Sequence, residues 1–182
     1  RLAYKFSLAG EKGYLTGNGA GQPLGAFTAS AQGISTGRDI STGNSTTAVA
    51  ADGLVNALYN LKEAYQRRAR WLFHRTVIRD VRKLKDGAGQ YIWQPGLSGG
   101  QPSTILDRPY GMSEWAPNTL GTGLYVGLVG DFSFYWIADA MQLSIQRLVE
   151  LYAASSQDGF IGEMYSDGMP VLEEAFARVK LA

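Results

Sequence analysis

The chain has one imidazole, His74, and no cysteine among its 182 residues. Those two counts bound its chemistry before any fold is considered. Without thiols there is no disulfide scaffold, no zinc knuckle, no iron–sulfur ligation and no thiol nucleophile. A single histidine excludes a His-x-x-x-His metal site. A hydrolase of the Ser/His/Asp type survives by counting alone, because serines and aspartates are plentiful, but it would have to be built on His74. That residue lies between a strand pattern and a helix pattern and is followed by Arg75, a place suited to capping a helix or shaping a turn. The carboxylates offer no obvious general acid/base pair. Glu173, Glu174 and Asp139 come nearest to a cluster and read as surface or sheet-edge charge. The glycine run from Gly17 to Gly25 has the look of a phosphate loop but the wrong surroundings. A dinucleotide fingerprint follows a strand and opens a helix, whereas this run follows a helix and meets Pro23, with no Gly-Lys-Ser or Gly-Lys-Thr after it. It reads as a tight reversal. The largest like-charged group is the basic stripe Arg67, Arg68, Arg70, Arg75, Arg79, Arg82, Lys83 and Lys85. It could meet phosphate, or it could be a solvated helix face partly neutralised by Glu63 and Asp80. No catalytic, cofactor-binding or metal-binding set stands out.

The elements that must hold these residues follow from periodicity. Residues 1–16 read as the end of a helix. Short strands and turns occupy 26–43, and one of Thr46 and Thr47 could cap the helix after them. Leu54, Leu58, Leu61 and Tyr65 fall on one helical face and predict a helix from about Ala48 to Gln66. Ala69, Trp71 and Phe73 alternate with polar or smaller neighbours as a short buried strand does. A second helix runs from about Thr76 to Leu84, with Val77, Ile78, Val81 and Leu84 facing inward, and ends at Asp86-Gly87-Ala88-Gly89. Residues 94–106 read as a loop. Strand patterns follow at Leu124–Leu128, Phe134–Ile137 and Leu143–Ile145, and a last pair is predicted at Gly159–Tyr165 and Ala175–Leu181, joined by Ser166-Asp167-Gly168. The class is α+β.

Composition sharpens this. The chain is 45% hydrophobic and 12% aromatic, enough to build a core and to exclude disorder. Only 18% of residues are charged, against about 25% in ordinary soluble domains, and glycine is in excess at 23 residues. Either this is a glycine-rich globular domain, or much of its surface faces other subunits, since interface cores are poor in charge. The net charge of +1 sets up no strong global field for nucleic acid or anionic membrane. No apolar run approaches the roughly 18 residues of a membrane span. The sequence starts at Arg1 in mid-pattern, with no signal-peptide signature.

Several motifs, taken in order, resemble the major capsid proteins of tailed double-stranded-DNA bacteriophages. They are Gly17-Asn18-Gly19-x-Gly21-x-Pro23-x-Gly25 after a helix; Ala69-x-Trp71-x-Phe73, a helix and Leu84-Lys85-Asp86-x-x-Gly89-Gln90-Tyr91; Arg108-Pro109 with Pro117; Gly130-Asp131-Phe132-Ser133 with Tyr135-Trp136-Ile137-Ala138-Asp139; and Gly159-Phe160 through Ser166-Asp167-Gly168 to Glu174-Ala175-Phe176. Each is weak alone, and together they span almost the whole chain. His74 departs from the asparagine more common in that family, and Tyr165 from an arginine. Some members crosslink a lysine to an asparagine near the C-terminus, and here no asparagine follows Asn118.

The resemblance implies a phage capsid fold in which an axial domain, a central sheet with flanking helices at 46–138, is inserted in a peripheral domain made of 1–45 and 139–182. It implies that a family arm, the E-loop and most of a spine helix would precede Arg1, and that without them the chain would not close into shells. It implies a structural, non-enzymatic protein without cofactors, whose partners are copies of itself in pentamers and hexamers and packaged DNA held without sequence specificity, with no membrane. The setting would be the virion, assembled in the bacterial cytoplasm. Asp86, Gly87, Gly89 and Gln90 would lie nearest a symmetry axis. An encapsulin-like shell around enzymes shares the fold and is the first alternative; a hydrolase using His74 is the second.

Overall fold

In a computed structural model the described residues are 1–92, 104–148 and 158–182, and the side chains of Gln142 and Leu143 fall outside the description. A six-stranded mixed sheet, ordered β1-β8-β5-β2-β4-β3, carries the core, and a separate two-stranded ribbon pairs β6 with β7. The strands are β1 (Asp39–Ile40), β2 (Arg70–Phe73), β3 (Thr104–Ile105), β4 (Arg108–Met112), β5 (Tyr125–Gly130), β6 (Tyr135–Leu148), β7 (Gly159–Pro170) and β8 (Phe176–Lys180). The helices are α1 (Leu2–Thr16), α2 (Ala51–Asn60), α3 (Glu63–Gln66) and α4 (Arg75–Arg82). The α+β class and the end of α1 at residue 16 match the sequence reading.

The sheet is buried on two sides by two clusters. Trp71 and Phe73 of β2 project to the side covered by α2 and α4, where Leu54, Ala57, Leu58, Val77, Ile78 and Val81 complete one core. Leu15, Ala26, Phe27, Ile34, Leu128 and Phe176 form the second, on the α1 side. β5 lies between β8 and β2, antiparallel to both, so Val126, Leu128 and Val129 are all fully buried. The alternation read from its sequence therefore does not separate an inner from an outer face, because a central strand has no wet face. Gly127 is needed here: a Cβ on it would meet Phe73 Cε1 at 2.0 Å.

The glycine run is the predicted reversal. Asn18 and Leu24 form an antiparallel bridge, and the chain returns along the end of α1. Ala26 and Phe27 donate their N–H groups to the carbonyls of Tyr14 and Leu15, acceptors that a helix end leaves without intrahelical partners. That return runs so close that a Cβ on Gly25 would meet Leu15 O at 2.5 Å.

Four expectations are corrected. The predicted helix over 48–66 is two helices, because Leu61 and Lys62 are extended; the burial of Leu54, Leu58 and Leu61 survives the break. Neither Thr46 nor Thr47 caps α2: the N-cap is Ala50, with no side-chain cap, and Asn44 Oδ1 takes the Ala50 N–H. The loop predicted at 94–106 lies mostly outside the described residues, and at its end Thr104–Ile105 pairs with β4 as β3. The two C-terminal strands are not a hairpin. Ser166-Asp167-Gly168 lies inside β7, which pairs with β6, whereas β8 belongs to the six-stranded sheet. Gly168 stays extended in the ribbon because its flat backbone packs against Tyr135, whose ring a Cβ would meet at 3.1 Å.

The sheet also joins all three pieces into which the sequence reading divided the chain. β1 comes from 1–45, β8 from 139–182, and β2, β4 and β5 from 46–138.

Candidate functional site

His74 ends β2 and is the N-cap of α4, accepting the Thr76 N–H on Nδ1 at 3.2 Å. With Nδ1 an acceptor, the hydrogen-bond pattern assigns the proton to Nε2, which faces Glu114 Oε2 at 3.2 Å. Glu114 also receives Arg75 Nε at 3.1 Å. The histidine is buried and joins a strand end, a helix start and the 113–116 loop. The hydroxyl that meets the ring is Thr76 Oγ1, 2.8 Å from Nδ1 and part of the cap itself, whereas the Ser113 hydroxyl, next to Glu114 in sequence, donates to Glu11 Oε1 at 2.6 Å. A Gly-x-Ser-x-Gly spacing does occur at Gly96-Leu97-Ser98-Gly99-Gly100. It lies outside the described residues, and in sequence it sits within a Gly- and Pro-rich stretch rather than between a strand and a helix as such an elbow requires. Among the described residues no group of three or more His, Asp or Glu could hold a metal.

The Asp86–Gln90 segment is an exposed two-way turn just beyond α4. Lys85 bridges Tyr91, and Asp86 N donates to Gln90 O. Asp86 Oδ1 accepts the N–H groups of Ala88 and Gln90, each at 2.9 Å. The carboxylate thus braces the turn from within, while Gly87 and Gly89 stand in open space. The structure brings Asp86, Gly87, Gly89 and Gln90 together as one protruding tip.

The basic stripe does not behave as one surface. Arg79 pairs with Asp80 at 2.9 Å, Arg82 donates to the Tyr110 hydroxyl at 2.8 Å and Arg75 joins Glu114. Glu173 and Glu174 are likewise engaged. Glu173 Oε2 accepts the Ser35 N–H, and hydrogen bonds from Ser35 hold its carboxyl below the usual glutamate range. Glu174 pairs with Lys62 at 2.6 Å.

Sequence reasoning missed the most buried charge. Arg178 lies in the middle of β8 with 0% exposure. Its Nε donates to Asp39 Oδ1 at 2.7 Å, its Nη2 reaches Ser35 O at 2.7 Å, and the guanidinium lies 4.7 Å from the centre of the Tyr125 ring. The Tyr125 hydroxyl donates to Asp39 Oδ2. Burial, then that hydrogen bond, push the tyrosine's pKa up. The only sequence signal for this pair was a lone arginine between Ala177 and Val179, one strand position inside an apolar run.

The ribbon carries the opposite surprise. Its register places Trp136 opposite Met169, and Met141 opposite Tyr165, and these side chains are exposed, Trp136 by 64% and Tyr165 by 60%. They lie along one ribbon face, with the Ala138–Asp167 pair between them, and large apolar side chains gathered on one exposed face mark a contact surface. The opposite face meets α1: Tyr14 hydrogen-bonds Ser166 and its ring packs edge-on to Tyr135 at 6.1 Å. Burial pushes the Tyr135 hydroxyl's pKa up, and that hydroxyl donates to Leu24 O. The described residues thus present an exposed turn and an exposed ribbon.

Comparison with known proteins agrees. The model of the phage capsid family matches residues 1–181. Among solved structures, the capsid of an empty GTA particle computed with C5 symmetry is 25% identical with a TM-score of 0.84, covering 100% of this chain and 64% of that one. The capsid of the native GTA particle is 25% identical with a TM-score of 0.83, covering 100% and 63%. A Gordonia phage Cozz chain is 16% identical with a TM-score of 0.66, covering 99% and 61%, and shows likeness of fold. The chain thus spans a little under two thirds of the length of these structural relatives. No curated protein matches it.

Proposed function

The chain belongs to the phage capsid family, and from that premise we propose that it is the shell-forming part of a major capsid protein of a phage or phage-like particle. The observation that carries this is the full-length family match together with likeness to chains of assembled capsids. Its work is structural, with no catalysis: His74 serves as a helix cap tied to Glu114. Copies of the chain meet one another in pentamers and hexamers of a closed shell, assembled in the bacterial cytoplasm and retained in the virion. The shell encloses double-stranded DNA without reading its sequence. Many weak contacts per subunit suffice, because each contact raises the effective concentration for the next, and low surface charge limits the desolvation cost at each.

Within the subunit, the proposed axial part is the six-stranded sheet with α2 and α4, and the proposed peripheral part is α1 with the β6–β7 ribbon. This keeps 46–134 axial, moves 135–138 with β6 to the peripheral part and draws β1 and β8 into the axial unit. The Asp86–Gln90 tip is the proposed contact nearest a five- or six-fold axis. Its support is exposure together with the internal brace from Asp86, which lowers the ordering cost of an interface.

Electron microscopy of the subunit expressed from its complete coding sequence tests the reading. Closed particles are the expected result; soluble subunits that never associate under any ionic condition would overturn it. Substituting lysine at both Asp86 and Gln90 should leave the subunit folded and reduce ring formation, measured by light scattering. Unchanged rings would remove the tip from the axis.

A further inference from the structure

Several arginines elsewhere in the described chain are held by protein groups. Arg75, Arg79, Arg147 and Arg178 have carboxylates, and Arg38 donates to the carbonyls of Glu173, Glu174 and Phe176. Arg67, Arg68 and Arg70 differ. All three are exposed and have no hydrogen-bond or ion-pair partner among the described residues. They converge on one corner. Arg67 and Arg68 line a cleft of about 520 Å³ against Asp131 and Phe134, and Arg70 pairs in register with Gly130, the residue before Asp131. Asp131 does not neutralise them: it is buried, and its Oδ1 caps the 3-10 turn by accepting the Ser133 N–H.

Arg70 also fixes which side this corner serves. It alternates with Trp71, so it projects from the α1 side of the sheet and lines a groove with Tyr14 and Leu15 of α1. α1 itself holds Lys5 and Lys12 against Glu11, and Glu11 is taken by Ser113. Three cations within four residues span at most about 10 Å of chain, comparable to successive phosphates at about 3.4 Å per nucleotide along a duplex strand. The two rings at the corner, Tyr65 and Phe134, are packed edge-on against each other at 5.4 Å. Around Arg67 and Arg68 the corner thus offers charge beside rings already engaged with each other, which suits a phosphate backbone, while the groove beside Arg70 is lined mostly by apolar groups such as Leu15, Phe132 and Ile137.

We propose that Arg67, Arg68 and Arg70 form a contact for the phosphate backbone of double-stranded DNA, which makes the α1 side of the sheet the side turned to the shell interior. This rests on the reading of the chain as part of a DNA-enclosing shell.

Fluorescence anisotropy of the 182-residue chain with a labelled duplex, across a salt series, tests it. The R67Q/R68Q/R70Q variant keeps the side-chain stems and should melt like the parent. Its log K against log salt slope should be shallower by about 2 to 3 than the parent's, as loss of about three phosphate contacts requires. Two unrelated duplex sequences should bind alike. The K83Q/K85Q variant, stripped of the same kind of charge beyond α4, should leave the slope unchanged. Equal losses in both variants, absence of duplex binding at low salt, or tighter binding of polyglutamate than of duplex would each overturn the proposal, the last by assigning the corner to an acidic protein segment. The measurement needs no particles, so a failure here leaves the shell reading standing, and a failure of particles to form would strike the shell reading alone.

Discussion

The six-stranded sheet and the β6–β7 ribbon are built from similar residues and treat them in opposite ways. In the sheet, Trp71 is 1% exposed, and β5 and β8 bury nearly every side chain. In the ribbon, an equally large tryptophan, Trp136, stands mostly in solvent beside Met141, Tyr165 and Met169. The sheet is complete in a single subunit. The ribbon is covered by α1 only around Tyr135 and Ser166, and its other face and its far end, at Ile145, Phe160 and Ile161, are not covered by the described residues. Apolar residues thus do two jobs here: they hold one chain together in the sheet, and in a shell they would hold several chains together along the ribbon.

The sharpest way to break this contrast is to remove matched aromatic residues from the two regions. Trp71→Ala should destabilise the subunit by about 3–5 kcal/mol in denaturant unfolding, the range for emptying a large core site. Trp136→Ala should change the same measurement by no more than about 0.5 kcal/mol while weakening association seen by light scattering. Comparable losses of stability would erase the distinction. Next in size, Asp39→Ala leaves Arg178 buried without its carboxylate and should cost about 3 kcal/mol, whereas Arg147→Ala, in an exposed ribbon pair with Asp158, should cost less than about 1 kcal/mol. Gly127→Ala drives a methyl into Phe73 and should cost about 1–3 kcal/mol by overpacking. The smallest effect concerns acid. Hydrogen bonds from Ser35 lower the Glu173 pKa from 4.5. Its contribution to stability is therefore present above that value and is lost as pH falls through the lower folded-state value. A Glu173→Gln variant should show a slightly flatter fall of Tm with acid than the parent.

Much of the sheet's local order was legible in the sequence. The Trp71/Phe73 alternation, the inward face of α4, the cap at His74 and the reversal after α1 all depend on neighbours within a few residues. What was not legible depends on distance. Arg178 reads as an outward charge until Asp39, far away in sequence, is brought across by the parallel pairing of β1 with β8. Ser166-Asp167-Gly168 has turn chemistry, yet its pairing with Ile137, Ala138 and Asp139 outweighs local preference. The neighbours of β8 are hidden for the same reason: nothing near residues 176–180 says that β5 will lie beside it. At the candidate tip, by contrast, the Asp-Gly-Ala-Gly chemistry was enough to foresee an exposed turn.

The place of β8 in the sheet has a consequence for synthesis. It comes latest in chain order among the described strands, yet it lies between β1 and β5 and supplies Phe176, Ala177, Val179 and, just beyond it, Leu181 to the two cores. While a ribosome is still working upstream of these residues, the emerged chain lacks an inner strand, and β1 has nothing to pair with. The nascent polypeptide cannot complete its sheet, and so cannot present finished contact surfaces, until translation has passed residue 181. In a shell, that order would keep subunits still lacking β8 out of a growing lattice, an editing step imposed by strand order alone.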